Sequence, residues 1–218
     1  MGAVVEACRS TVGRKAVVAV TGLMLWTWVV LHVAGNLTVF SGPAVADGYA
    51  AALRQAPAAL WAARAVLAVA AVAHIAGVVS LARMARRARP RHEMGGRRAS
   101  STVAARTMRW GGALLLAFVG YHLLHLTFGV AHPHFVSGRV YDNVVLGLRP
   151  AWVASIYVAA AVLVGLHLFH GLWAVTRSLG IRPDTAARRH RPTVAAISVA
   201  VAAGFALVPV AVVAGWLR

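Results

Sequence analysis

Apolar residues run along this chain in five long blocks, separated by short stretches where arginine, glycine and proline gather. Crossing a hydrocarbon core takes about 20 helical residues, and every block reaches that length. The expected spans are 16–40, 58–81, 103–130, 151–176 and 194–217. The third is fully apolar only from Trp110, with an amphipathic lead-in from Val103. Ser41-Gly42-Pro43 closes the first span, and an arginine cluster follows the second. His132-Pro133 follows the third, and Gly180 and Pro183 follow the fourth. Such Gly and Pro punctuation marks loops. The pattern predicts an all-α polytopic membrane bundle of five transmembrane helices, forming a single transmembrane domain over residues 1–218.

Composition agrees. Apolar residues make up 60% of the chain and charged residues 12%, against about 25% charged in a soluble protein. The 22 Lys and Arg outnumber five Asp and Glu. That imbalance would fit a nucleic-acid binder, but the basic residues fill the gaps between apolar blocks that are too long for one. Arg9, Arg14 and Lys15 precede the first span. Arg83, Arg86, Arg87, Arg89, Arg91, Arg97, Arg98, Arg106 and Arg109 lie between the second and third. Arg177, Arg182, Arg188, Arg189 and Arg191 lie between the fourth and fifth. The opposite side holds only Arg54, Arg139, Arg149 and Arg218, with Arg64 near its end of the second span. The positive-inside rule then puts the N-terminus in the cytoplasm and the C-terminus outside. Trp61, Trp110, Trp152 and Trp216 sit near span ends, where interfacial anchors belong. Cys8 is the only cysteine, so no Cys-ligated zinc or iron–sulfur site can be built within the chain. The first apolar block is too long for a signal-peptide core and reads as a retained anchor.

Six histidines fall inside the spans: His32, His74, His122, His125, His167 and His170. No carboxylate accompanies them. Ionisable groups inside a membrane are costly and mark function. A neutral imidazole offsets that cost by ligating a metal, and an iron with two axial histidines needs one from each of two facing helices. With a rise of about 1.5 Å per residue, His32 lies roughly 25 Å from Lys15, and His122 roughly 24 Å from Arg106. By the same measure His74 lies roughly 14 Å from Arg83, and His167 roughly 15 Å from Arg177. The histidines therefore sort into an outer layer, His32 with His122, and an inner layer, His74 with His167. Two stacked b-type haems, about 10 Å apart, would use all four.

The spacing His-x-x-His recurs in the third and fourth spans, and residues i and i+3 share a helix face. Depth favours His122 over His125 and leaves His167 and His170 undecided. The second member of each pair is either a hydrogen-bonded packing residue or a partner for a propionate or a quinone oxygen. Gly22, Gly35, Gly77, Gly120, Gly165 and Gly171 lie in or beside the histidine-bearing spans, where glycine permits close approach of a helix or a porphyrin. The fifth span has no ionisable residue from Val194 to Leu217. It reads as a packing or lipid-facing helix without chemistry, kinked at Pro209.

Several motifs resemble one family. Ser10-Thr11-Val12-Gly13-Arg14-Lys15 with Thr21-Gly22-Leu23, and His32-Val33-Ala34-Gly35-Asn36-Leu37, fall in and before the first span. Ala105-Arg106-Thr107-Met108-Arg109-Trp110 enters the third, which carries Tyr121-His122-Leu123-Leu124-His125-Leu126-Thr127-Phe128-Gly129. The fourth carries His167-Leu168-Phe169-His170-Gly171-Leu172-Trp173. Together, over residues 10–180, they resemble the single-subunit di-haem cytochrome b anchor of succinate dehydrogenase and fumarate reductase. The resemblance implies haem held by His32 and His122 and by His74 and His167, choosing His167 over His170. It also implies an iron–sulfur subunit and a flavoprotein on the cytoplasmic side, menaquinone as the electron-transfer substrate, and a bacterial cytoplasmic membrane. The chain would be the electron-transferring, quinone-reacting subunit, with no succinate-oxidising site of its own. Arg14 and Arg106, at the cytoplasmic entries of the first and third spans, would face propionates, partner carboxylates or phospholipid. Asn36 and His125 would serve a quinone at the outer layer, with Tyr141 and Asp142 folding back from the loop; a cytoplasmic-side site would use Ser10, Arg14 or Trp110.

The pattern departs from the family at one place. Some relatives carry a glutamate two residues before the fourth-span ligand, where this chain has Gly165. The first span, and the residues from it to Asp47, hold no acid either. A proton path built on membrane carboxylates is therefore not expected. Two other readings compete: a di-haem anchor of another dehydrogenase, such as a hydrogenase or formate dehydrogenase, and a haem-free transporter with structural histidines.

Overall fold

The computed structural model describes residues 10–87, 103–178 and 184–218. The side chains of residues 103–107, 109, 176–178 and 184–189 are outside that description. Expectations on Cys8, Arg9, Arg89, Arg91, Arg97, Arg98 and Arg182 lie outside the described residues. So do those on the side chains of Arg106, Arg109, Arg177, Arg188 and Arg189.

Helix α1 covers Thr11–Asn36. It starts at Ser10, whose hydroxyl accepts the Gly13 N–H at 2.9 Å, satisfying one of the free donors of a helix N-terminus. A 3-10 turn, Leu37–Ser41, ends it at Gly42, where φ is 91° and a side chain would be strained. Pro43 then opens α2, Pro43–Arg54, at a position where its missing N–H costs nothing. Next come α3, Pro57–Arg87, and α4, Val103–His122, which runs into a π-helical turn, Leu123–Thr127. Helices α5, Val140–Leu148, α6, Ala151–Ser178, and α7, Asp184–Val213, complete the chain.

Five of these helical stretches are long and apolar enough to cross a membrane: Thr11–Ser41, Pro57–Arg87, Trp110–Thr127, Ala151–Val175 and His190–Val213. The fold is all-α and polytopic. Its boundaries differ from the hydropathy pattern in places. The third span stops at Thr127, and the chain turns at Gly129 with φ of 74°. Helix α7 begins at Asp184, ends at Val213, and continues through both Pro192 and Pro209. Helices α2 and α5, too short to span, are additional.

Small residues bring the long helices together. A Cβ on Gly77 of α3 would stand 2.6 Å from Val18 Cγ2 of α1. On Gly165 of α6 it would stand 2.9 Å from Ala202 Cβ of α7, and on Gly204 of α7 it would stand 2.7 Å from Val33 Cγ2 of α1. Gly120 and Gly171, by contrast, have no neighbour within 4 Å of such an atom. Close helix approach of this kind is what small residues provide in membranes, where apolar burial alone gives little drive.

A core of buried apolar residues lies at the end of the bundle remote from the arginine-rich loops. Val39, Ala46, Tyr141, Val145, Leu148, Val153, Val208, Ala211, Val212 and Leu217 form it. Polar bonds tie this cap. The Tyr141 N–H donates to Asp47 Oδ1 at 2.9 Å, and its hydroxyl donates to the Arg218 carbonyl at 3.3 Å. Asn143 clasps Val136, accepting its N–H at 2.9 Å and donating to its carbonyl at 2.8 Å. Trp61, Trp110, Trp152 and Trp216 are all exposed, as rings resting at a membrane interface would be.

Candidate functional site

Four histidines meet in two pairs, each drawn from two long helices. His32 of α1 and His122, the last residue of α4, have ring centres 5.8 Å apart and planes 80° apart. Each carries an aromatic ring one turn earlier on its own helix. Trp28 stacks on His32 at 5.9 Å and 12°, and Phe118 on His122 at 5.9 Å and 28°. Phe205 of α7 lies 5.8 Å from His32. The fifth span, featureless in sequence, thus forms part of the wall around this pair.

His74 of α3 and His167 of α6 form the second pair, with ring centres 6.5 Å apart and planes 63° apart. His74 Nδ1 lies 3.1 Å from the Val18 carbonyl. A carbonyl only accepts, so Nδ1 carries the proton and Nε2 keeps its lone pair. Thr21 Oγ1 is 3.3 Å from the same nitrogen and donates to the Val17 carbonyl at 2.7 Å. Gly22 makes room for the ring, since a Cβ there would be 3.2 Å from His74 Cε1. Across from it, His167 Nδ1 is buried with no hydrogen-bond partner among the described residues. A recess lined by Met108, Gly111, Leu163 and Leu166 opens beside His167.

His125 belongs to a different cluster. It is only 2% exposed, lying between Tyr121, at 5.3 Å and 12°, and His132, at 5.0 Å and 25°. Its Nδ1 is 2.8 Å from the hydroxyl of Tyr157, and that hydroxyl is 3.4 Å from His122 Nδ1. Both ring nitrogens of His132 are engaged. Its Nδ1 accepts the His134 N–H at 3.0 Å, and its Nε2 donates to the Asn143 carbonyl at 2.9 Å. Helix α5 covers both rings, and a Cβ on Gly147 would be 2.6 Å from His132 Nε2 and 3.0 Å from His125 Cε1. Sequence reasoning assigned nothing to Tyr157 or His132. The available signal was a hydroxyl inside an apolar span, which must find a partner when buried.

The remaining candidates are spread out. His170 is half-buried on α6, three residues beyond His167, and Asn36 is half-buried at the end of α1. Arg14 bridges α1 and α3, donating through Nη1 to Ser80 Oγ and to Met84 Sδ. Arg106 lies on α4, its side chain outside the described part. Tyr141 is buried in the cap, and Asp142 pairs with Arg139 at 2.6 Å. Among the described residues, no group of three or more His, Cys, Asp or Glu is arranged to hold a metal ion. The donor sets are pairs of imidazoles.

Comparison with family models, with curated proteins and with solved structures returns no match. The fold defines a five-span, all-α membrane bundle, a build compatible with di-haem cytochrome b anchors.

Proposed function

We propose that the chain is the cytochrome b membrane anchor of a succinate:quinone oxidoreductase, passing electrons between an iron–sulfur subunit and menaquinone in a bacterial cytoplasmic membrane. The observation that carries this reading is the meeting of His32 with His122, and of His74 with His167, from separate helices. The residues fit the group. A metal–imidazole bond of about 2 Å would leave room for one ion between two rings whose centres are about 6 Å apart. The two pairs stand at 5.8 and 6.5 Å. His74 presents the tautomer that a ligand needs, its Nδ1–H held by a carbonyl as in other metal-bound histidines. His167 Nδ1 is buried without a partner among the described residues, so of this pair only His74 shows the outer bond of a metal-bound histidine.

His32 and His122 would hold one haem, and His74 and His167 the other. Bound there, the two would supply one-electron carriers at two depths. The flanking rings Trp28, Phe118 and Phe205 keep water from the first pair, and Gly22 and Thr21 orient His74. With the arginine-rich loops in the cytoplasm, the His74 pair faces the iron–sulfur subunit and its flavoprotein. The quinone reacts at the far pair, where the Asn36 amide offers a donor close to the membrane surface. Arg14, engaged with Ser80 and Met84, steadies the entry of α1 beside the docking face.

Purification from its native membrane tests the reading. Two b-type haems per chain by pyridine haemochrome, with co-purifying iron–sulfur and flavin subunits that oxidise succinate, are expected. Partners of a hydrogenase or formate dehydrogenase would assign the anchor to another enzyme. A colourless protein would remove the cytochrome reading and leave a transporter. Asn36→Ala should lower quinone turnover while electron transfer to an artificial acceptor stays intact.

A further inference from the structure

Tyr157 joins two histidines with one hydroxyl. Its ring is held edge-on by Phe118, at 5.1 Å and 86°, and by Tyr121, at 6.2 Å and 67°. The oxygen is thereby fixed 2.8 Å from His125 Nδ1 and 3.4 Å from His122 Nδ1. A phenol has a single proton, so it can donate to one of these nitrogens and must accept from the other. The direction of the chain is set by whichever histidine carries its proton on Nδ1. A neutral His122 that ligates iron through Nε2 does so. His122 Nδ1–H then donates to Tyr157, and Tyr157 donates to His125 Nδ1. His132 cannot extend the chain, because both its nitrogens are committed to the backbone.

We propose that Tyr157 is the positioning residue for His122, and that His125 is the terminal acceptor that holds the Tyr157 proton away from it. The inference rests on the assignment of His122 as a haem ligand. It explains why His125, three residues from that ligand, is buried under α5 and stacked between two rings. It also gives an expected sign. An acceptor on Nδ1–H makes an imidazole a stronger donor to its metal, which favours oxidised iron. Hydrogen bonds in such a chain also polarise one another, so losing His125 weakens the acceptor without removing it.

Tyr157→Phe keeps the packed ring and deletes only the hydroxyl. The expected result is two haems retained, with the midpoint potential of the far haem raised and that of the near haem unchanged. The oxidised-to-reduced ratio at fixed potential should fall several-fold; a tenfold fall corresponds to about 59 mV for one electron. His125→Leu should give a smaller shift of the same sign. His125→Asn, whose amide oxygen can stand in for Nδ1, should restore much of it. The double variant Tyr157→Phe, His125→Leu should shift no further than Tyr157→Phe alone, because the two residues act in series. If Tyr157→Phe fails to fold, the contrast between His125→Leu and His125→Asn decides. Wild-type protein with two haems, and variants with unmoved or equally moved potentials, would overturn this inference alone. Wild-type protein without haem would overturn the functional reading and this inference with it.

Discussion

Val18 and Gly77 touch so closely that no β-carbon fits at position 77 without displacing the Val18 side chain. The same Val18 carries the carbonyl that accepts from His74 Nδ1. Packing of α1 on α3 and the orientation of His74 are therefore one feature. Gly77→Ala should cost about 1–3 kcal/mol, as overpacking does, and disturb the site at His74 before that at His122. Gly171→Ala, with open space around it, should leave stability unchanged or slightly raised. Thermal unfolding in detergent distinguishes these outcomes, followed, where the proposed haems are bound, through each haem signal in turn.

The contact between Gly165 and Ala202 gives a paired test. Gly165→Ala sets two β-carbons 2.9 Å apart on backbones that cannot yield cheaply. Ala202→Gly should relieve it. A double-mutant cycle should show the second change restoring most of the stability lost to the first. Purely additive losses would mean that α6 and α7 do not meet at this point.

The cap makes a separate claim. Asp47→Ala removes the carboxylate that accepts the Tyr141 N–H, and about 1.5–3 kcal/mol is the usual worth of a bond to a charged group. Tyr141→Phe removes only the bond to the Arg218 main-chain oxygen, long at 3.3 Å and worth about 0.5–1.5 kcal/mol. The order of the two losses in a thermal melt is the check, and equal losses would count against the Asp47 clasp.

Ring orientation predicts a spectroscopic signature. The imidazole planes stand 80° apart in one pair and 63° apart in the other. If each pair holds a haem as proposed, imidazoles kept in these crossed orientations would give a strongly anisotropic low-spin signal. Low-temperature electron paramagnetic resonance should show two such signals. His74→Ala should remove one, and His122→Ala the other. Rhombic signals of the parallel-ring type would contradict the orientations at both levels.

The long spans were legible in sequence because a run of about 20 apolar residues has few other uses. Helices α2 and α5 were not, being too short to span and recognisable only through the cap they form. Gly42 before Pro43 was a start signal that hydropathy ignores. Depth arithmetic sorted the histidines by level without knowing any contact. It could not see that His125 turns toward Tyr157, because that depends on α6 packing against α4 at that turn. The glycines looked alike in sequence; Gly77 and Gly165 are pressed by neighbours, while Gly120 and Gly171 are not. Helix α7 seemed idle because its contribution beside His32 is a phenyl ring, which carries no polar mark.

The buried apolar cluster of the cap joins residues far apart in order of synthesis. Val39 and Ala46 are made early, Tyr141, Val145 and Leu148 later, and Val208, Ala211, Val212 and Leu217 later still. During translation the early helices can settle against one another as they emerge. That end of the bundle cannot close until the stretch around residue 217 has left the ribosome. By then His32, His74, His122 and His167 are all in the membrane. Closure of the cap, set by sequence order alone, is therefore a late step of biogenesis.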